Sequence, residues 1–232
     1  MVRELLLMRN GKAEATGTRE LRDKGKRQAQ RVGVWLAGNG LLPGEAIARQ
    51  SPRAIVTAEK TLKAAGLGVQ RLRADDRLKS LAGAREVLSE CAPGRGPVLL
   101  VGHRRGVEDL AEHLAGAAAC QQVGALKPGT LFRLAMPEDW SRLPAGCAEL
   151  VGIVLPSELP ERFPFPGPGG AEWRERPSYY YRQSAVVPWR RGASGVQVLV
   201  ITSSKRHHWV VPKGIREPGL SAQESAAEEA RE

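Results

Sequence analysis

The triplet Arg9-Asn10-Gly11 directly follows an apolar run, Leu5-Leu6-Leu7-Met8. A second arginine, Arg53, follows Ser51-Pro52, and His103 directly follows another apolar run, Val98-Leu99-Leu100-Val101-Gly102. These residue types suit one ligand chemistry. A phosphoryl group spreads its charge over its non-bridging oxygens, and the planar forks of Arg9 and Arg53 can clamp it bidentately. His103 adds a donor, and a cation when protonated. The backbone N–H groups after Arg9 offer further donors. Asn10 can hydrogen-bond a phosphate oxygen or a water. Its amide nitrogen is no nucleophile, because the lone pair is delocalised into the carbonyl. Asp75, Asp76 and Glu108 are the available carboxylates, and none stands in a pattern that assigns a general acid.

For these residues to meet, the chain must bring several strand ends together. The apolar run within Val2–Met8 predicts a buried strand, and so do Ala46–Arg49, Val69–Leu72, Val98–Val101, Thr130–Ala135 and Leu150–Leu155. Helical spacing falls between them, over Leu21–Ala37, Ala54–Ala65 (stopped by Gly66), Leu78–Cys91 and Val107–Ala118. Alternating strands and helices predict an α/β fold, a mostly parallel sheet with helices on both faces. In such sheets ligands bind beyond the carboxyl ends of the strands. Arg9 and His103 each follow a strand directly, so both are expected to reach one crevice.

Residues 156–177 are rich in proline and glycine, with Phe163-Pro164-Phe165-Pro166-Gly167-Pro168-Gly169-Gly170 at their centre. Such a stretch continues neither a helix nor a central strand, and an inter-domain linker is expected. A second module is expected over residues 178–232. Ser184–Val187, Val196–Thr202 and Trp209–Val211 read as strands, Gly192–Gly195 as a turn and Pro212-Lys213-Gly214 as a loop. Ser221 followed by Glu224 forms a capping box at the start of a Glu-rich helix.

Taken together, Leu6-Leu7-Met8-Arg9-Asn10-Gly11, Ser51-Pro52-Arg53-Ala54-Ile55-Val56-Thr57-Ala58, Leu100-Val101-Gly102-His103, Gly106–Leu110 and the tail from Leu126-Lys127-Pro128-Gly129-Thr130 to Leu155-Pro156 resemble the histidine phosphatase (phosphoglycerate-mutase-like) superfamily, most closely its SixA-type phosphohistidine phosphatases. The resemblance covers residues 1–155. It implies phosphate contacts from Arg9, Gly11, Arg53 and His103, a catalytic role for His103, and no cofactor. It also implies that Asn10 occupies the position of the nucleophilic histidine. Phosphatase turnover is therefore expected to be weak or absent, with binding kept. Arg104-Arg105 stands where the family commonly has an Asn-Pro-like pair.

The segment from Trp209-Val210-Val211-Pro212-Lys213-Gly214 to Ala230-Arg231-Glu232 resembles an incomplete Nudix hydrolase box, of the branch acting on diphosphoinositol polyphosphates and dinucleoside polyphosphates. Gly214 fits the first glycine, Leu220 and Glu228 depart from the pattern, and Glu229 and Glu232 fit two of its glutamates. Carboxylates three or four residues apart share a helix face, where such a box holds Mg²⁺ or Mn²⁺ against a diphosphate. Only Glu229 and Glu232 remain of that set, so metal-dependent turnover is not expected.

Composition sets outer bounds. The 232 residues carry a net charge of +10 and a pI near 10.0. That balance favours polyanionic partners. The basic residues are scattered without interleaved aromatics, so nucleic acid is not expected; a phosphorylated protein or a small phosphorylated molecule is. No apolar run is long enough to span a membrane, and the N-terminus does not read as a signal peptide. Cys91, Cys120 and Cys147 are odd in number and far apart, indicating neither a disulfide framework nor a zinc site. A reducing cytoplasm is the expected compartment, and the oligomeric state is not encoded legibly. Three functions follow: a SixA-like phosphohistidine or phosphomonoester phosphatase, a non-catalytic phosphate-binding module, and a fragment of a two-domain phosphohydrolase.

Overall fold

The computed structural model describes residues 3–14, 20–91, 96–121, 124–203 and 208–231. It divides into two compact units, residues 1–161 and 162–232.

The first unit is built on a six-stranded sheet. In chain order its strands are β1 (Arg3–Arg9), β2 (Glu45–Arg49), β3 (Leu72–Asp75), β4 (Val98–Gly102), β5 (Leu131–Met136) and β6 (Glu149–Val154). Their spatial order is β3-β2-β4-β1-β5-β6. The first three pairings are parallel; β1–β5 and β5–β6 are antiparallel. The helices are α1 (Asp23–Gly38), α2 (Pro52–Ala64), α3 (Leu81–Ser89), α4 (Arg104–Ala115) and the short α5 (Ala117–Gln121).

The central strands read as unbroken apolar runs because both faces of the sheet are covered. Successive side chains point to opposite faces. Leu5, Leu7, Ile47, Leu100, Phe132 and Leu134 pack with Val87 and Leu88 of α3 and Leu110 and Leu114 of α4. Leu6, Met8, Ala46, Ala48, Leu99 and Val101 pack on the other face with Ala29, Val32 and Leu36 of α1 and Ala58 and Leu62 of α2. The expected α/β layering is therefore present, with an antiparallel edge.

Several boundaries differ from the sequence reading, each for a local reason. α3 starts at Leu81, because a 3₁₀ turn over Asp76–Lys79 precedes it and Ser80 caps it by accepting from Gly83 N at 3.1 Å. α4 starts three residues before Val107, since His103 sits at its extended N-cap, and it stops before Gly116 at φ 83°. The segment Val69–Leu72 is mostly a 3₁₀ turn, and β3 follows at Leu72–Asp75.

The second unit consists of two-stranded pieces. Strands β7 (Phe163–Gly167) and β8 (Gly170–Arg174) form a hairpin inside the stretch expected to be an irregular linker. Pro164 and Pro166 occupy alternate positions of β7, opposite Trp173 and Ala171. Alternate residues of a paired strand send their N–H groups to the same side, so a lone hairpin tolerates both prolines on its unpaired side. Phe165 meets Tyr181 edge-on at 5.4 Å, and Arg174 stacks over Phe165 at 3.6 Å.

The expected strand Val196–Thr202 splits into β11 (Gly195–Val198), paired with β10 (Trp189–Gly192), and β12 (Ile201–Thr202), paired with β13 (Trp209–Val210). Strand β14 (Lys213–Ile215) replaces the expected Pro-Lys-Gly loop and pairs with β9 (Gln183–Ala185). Helix α6 (Ala222–Glu229) begins with the expected capping box: Ser221 Oγ accepts from Glu224 N at 3.1 Å, and Glu224 Oε2 accepts from Ser221 N at 2.8 Å. No helix among the described residues is long and apolar enough to cross a membrane.

Candidate phosphate-binding site

Arg9 is the last residue of β1 and pairs in register with Gly102, the last residue of β4. That register places Arg9-Asn10 beside His103, as the strand-end argument requires. The main chain here is tightly held. Arg9 N donates to Thr130 O at 2.9 Å, Gly129 N donates to Arg9 O at 3.1 Å, and Asn10 N donates to Gly102 O at 2.8 Å. The Arg9 guanidinium donates through Nη1 to the carbonyl of Leu126, leaving its other nitrogens for a ligand. Its pKa is pushed down by burial and then by the Arg104 charge, against an upward pull from Glu108, with Arg53 adding a lesser downward effect.

Asn10 is buried, and among the described residues its side chain makes only a long contact, Nδ2 to Gly11 O at 3.5 Å. A β-carbon at Gly11 would lie 2.6 Å from Gly25 O, so glycine is needed where β1 runs under the first turn of α1. The backbone donors expected to serve a phosphate are already committed. Asn10 N is bound to Gly102 O, Gly11 N donates to Thr57 Oγ1 at 3.1 Å, and Lys12 N donates to Gln28 Oε1 at 3.1 Å. Gly11 thus has a steric and tethering place here, and its N–H is turned to Thr57. Thr57 Oγ1 in turn donates to Arg53 O at 2.7 Å, which ties the start of α2 to the end of β1. Thr57 was visible in the sequence as part of the Arg53–Ala58 segment, but its hydroxyl carries a link that no local pattern predicts.

Arg53 lies in the first turn of α2, where Pro52 occupies the helix start and Ser51 is extended. Arg49 ends β2 and was not singled out from the sequence. The signal was available: it closes a parallel strand just as Arg9 does. Arg49 Nε is buried without a hydrogen-bond partner among the described residues. His103 Nδ1 is likewise buried and unpartnered. The His103 ring lies over Gly106, where a β-carbon would come within 2.8 Å of Cε1. Its pKa is lowered first by burial and then by Arg49, with Arg53 and Arg105 adding to the effect and Asp109 opposing it. Burial and the neighbouring arginines therefore disfavour the imidazolium form of His103, and Arg9, Arg49 and Arg53 supply the positive charge at these strand ends.

Each of the three carboxylates considered from the sequence is held in an ion pair. Asp75 is held at about 2 by its hydrogen bonds to Arg77, against a desolvation cost, and it also pairs with Arg73 at 3.0 Å. Asp76 pairs with Lys79 at 2.8 Å, and Glu108 pairs with Arg104 at 2.8 Å.

In the second unit, the Glu229 carboxylate lies against Gly214, filling the space a β-carbon there would take. Glu232 falls outside the described residues. Among the described residues no cluster of three or more His, Cys, Asp or Glu is arranged to hold a metal ion.

No protein-family model matches the chain, and no curated protein matches it. Solved structures do. A candidate phosphohistidine phosphatase SixA from Nakamurella multipartitia superposes with a TM-score of 0.58 at 22% identity, covering 67% of this chain and 97% of that one. Its counterpart from Agrobacterium tumefaciens gives 0.56 at 16% identity, covering 67% of this chain and 99% of that one. A mycobacterial glucosyl-3-phosphoglycerate phosphatase in complex with VO₃ gives 0.50 at 18% identity, covering 65% and 98%. The structural neighbours are thus SixA-type and phosphoglycerate-type phosphatases, and the mixed α/β fold around the six-stranded sheet is the phosphoglycerate-mutase-like one. None of these three structures is described as a Nudix protein, and that resemblance gains no support from them.

Proposed function

We propose that residues 1–161 bind a phosphoryl group at the carboxyl ends of β1, β2 and β4, and that turnover of a phosphomonoester or phosphohistidine there is weak or absent. The observation that carries this reading is Asn10. It stands beside His103 at the end of β1, its main chain fixed to Gly102 O at 2.8 Å, where the fold relatives' resemblance expects a nucleophilic histidine. The amide cannot attack phosphorus. Around it, Arg9, Arg53 and the additional Arg49 supply the cations that stabilise a bound phosphoryl group. The chemistry needs no metal: charge is met by guanidinium groups, and His103 donates or accepts a proton at its ring nitrogens. A phosphorylated protein and a small phosphorylated molecule are both suitable ligands for such a crevice.

For the second unit the proposal is a partial Nudix-like module, with Glu229 and Glu232 as the two remaining carboxylates for Mg²⁺ or Mn²⁺. Its support is the sequence pattern and the packing of Glu229 against Gly214. The whole chain then reads as a two-domain phosphohydrolase relative, with Asn10 at the nucleophile position of the first unit and Leu220 and Glu228 departing from the Nudix pattern in the second.

The test pairs two measurements. Calorimetric titration with inorganic phosphate is expected to show binding that Arg53→Ala weakens. A phosphomonoesterase assay is expected to give the same low rate for the natural chain and for Arg9→Ala. Absence of phosphate binding would refute the binding half; a rate far above that of Arg9→Ala would refute the catalytic half.

A further inference from the structure

Helix α1 carries Lys24, Arg27, Gln28 and Arg31 at spacings of three, four and seven residues, which places them on one face. The opposite face, Ala29, Val32 and Leu36, is buried in the core. This stripe forms one wall of a cleft of about 710 Å³, whose other walls include Lys12, Lys127 and Pro156. The volume falls within the range of small-ligand sites, roughly 300–1,000 Å³. Five cations line it against two carboxylates, Asp23 and Glu161.

Both carboxylates are occupied. Asp23 pairs with Lys26 at 3.4 Å, and Glu161 pairs with Arg31 at 3.4 Å. Lys12, Lys24, Arg27 and Lys127 take part in no ion pair among the described residues. Arg31 is held in place by the Pro156 carbonyl at 3.3 Å, yet its Nε is buried without a partner. Like charges repeated along one helix face disfavour the helix, so the stripe does not serve α1 itself.

Covalent and hydrogen-bonded neighbours link the lining of the cleft to the residues of the phosphate crevice. Lys12 follows Gly11 directly, and its N–H is held by Gln28 of the cleft wall at 3.1 Å. Lys127 and Pro128 lie between Leu126, whose carbonyl accepts from the Arg9 guanidinium, and Gly129, whose N–H donates to Arg9 O at 3.1 Å.

Resting on the phosphate-binding reading, we infer that this cleft is a second anion subsite, taking the distal phosphoryl group of a small molecule whose first phosphoryl group occupies the Arg9–Arg53 crevice. A concave cleft of this volume favours a compact polyphosphorylated ligand over a flat acidic protein surface.

Calorimetric titration at low ionic strength, with the full chain, separates the two sites. The probes are inorganic phosphate, an alkane bisphosphate with a flexible spacer, and an acidic phosphopeptide. The bisphosphate is expected to bind at least about tenfold tighter than inorganic phosphate, the gain expected when a second contact becomes intramolecular. A Lys24→Glu, Arg27→Glu double variant is expected to abolish that gain and leave inorganic phosphate affinity unchanged; Lys127→Glu, on another wall, is expected to do the same. Equal affinity for the two small probes, or a gain that survives both variants, would overturn the inference. A phosphopeptide that binds tighter than the bisphosphate with the same sensitivity would overturn the small-ligand assignment. Bisphosphate binding that the cleft variants weaken, without detectable binding of inorganic phosphate, would refute the crevice reading and uphold the cleft.

Discussion

Replacing Arg53 by alanine removes a guanidinium from the first turn of α2 that makes no ion pair among the described residues. No protein partner loses a bond, so nearly all of the effect should fall on the ligand. A hydrogen bond to a charged group contributes about 1.5–3 kcal/mol, and each 1.4 kcal/mol is a factor of ten. The affinity for inorganic phosphate should therefore drop roughly 10- to 150-fold, with stability unchanged within about 0.5 kcal/mol. Arg9→Ala should behave differently. It leaves the buried Leu126 carbonyl without its donor and should cost about 1–3 kcal/mol of stability as well as affinity.

Arg49→Ala supplies an internal check. After burial, its charge is the largest cause that lowers the His103 pKa. Removing a nearby cation favours the imidazolium, so the His103 pKa should rise. Calorimetry gives the affinities and NMR titration of the histidine ring protons gives the pKa. Unchanged phosphate affinity in Arg53→Ala, or an unmoved His103 in Arg49→Ala, would refute the proposed grouping of these side chains.

Three further perturbations follow from the packing. Gly11→Ala would set a β-carbon 2.6 Å from the Gly25 carbonyl, backbone against backbone, and should destabilise the fold by about 1–3 kcal/mol in urea unfolding. Asp75→Asn should lower the urea midpoint at neutral pH. Its folded carboxyl is depressed from 3.8 to about 2, so the stabilisation is complete above the unfolded value and lost as pH falls through that window; the difference between the two proteins should vanish there. Ser221→Ala should cost α6 about 0.5–2 kcal/mol, read as faster amide exchange in residues Ala222–Glu229.

What was legible in the sequence was whatever local apolar pattern controls. The runs at Leu5–Met8 and Val98–Val101 announced parallel strands buried on both faces, with Arg9 and His103 at neighbouring strand ends. Arg49 escaped notice because the Ser-Pro-Arg pattern drew attention to Arg53, although both flank the same turn. The commitment of the Asn10, Gly11 and Lys12 N–H groups was invisible for a different reason: their acceptors, Gly102, Thr57 and Gln28, are distant in sequence and meet only through tertiary packing. Proline content misled at Phe163–Gly167, since a two-stranded hairpin spares a proline wherever its unpaired side faces outward. In the second unit the strands are short and their alternation weak, so Val196–Thr202 read as one strand and folded as two with different partners.

The central claim is that the crevice keeps phosphate recognition while Asn10 removes the chemical step. Asn10→His tests it most directly. Among the described residues the asparagine side chain makes only one long hydrogen bond, so its replacement sacrifices little. Steady-state hydrolysis of a chromogenic phosphomonoester should rise by on the order of 10³-fold or more, about 4 kcal/mol of transition-state stabilisation, and the gain should disappear when Arg9→Ala is added. An Asn10→His protein no faster than the natural chain, or a natural chain that already turns over at the rate of Asn10→His, would contradict the account.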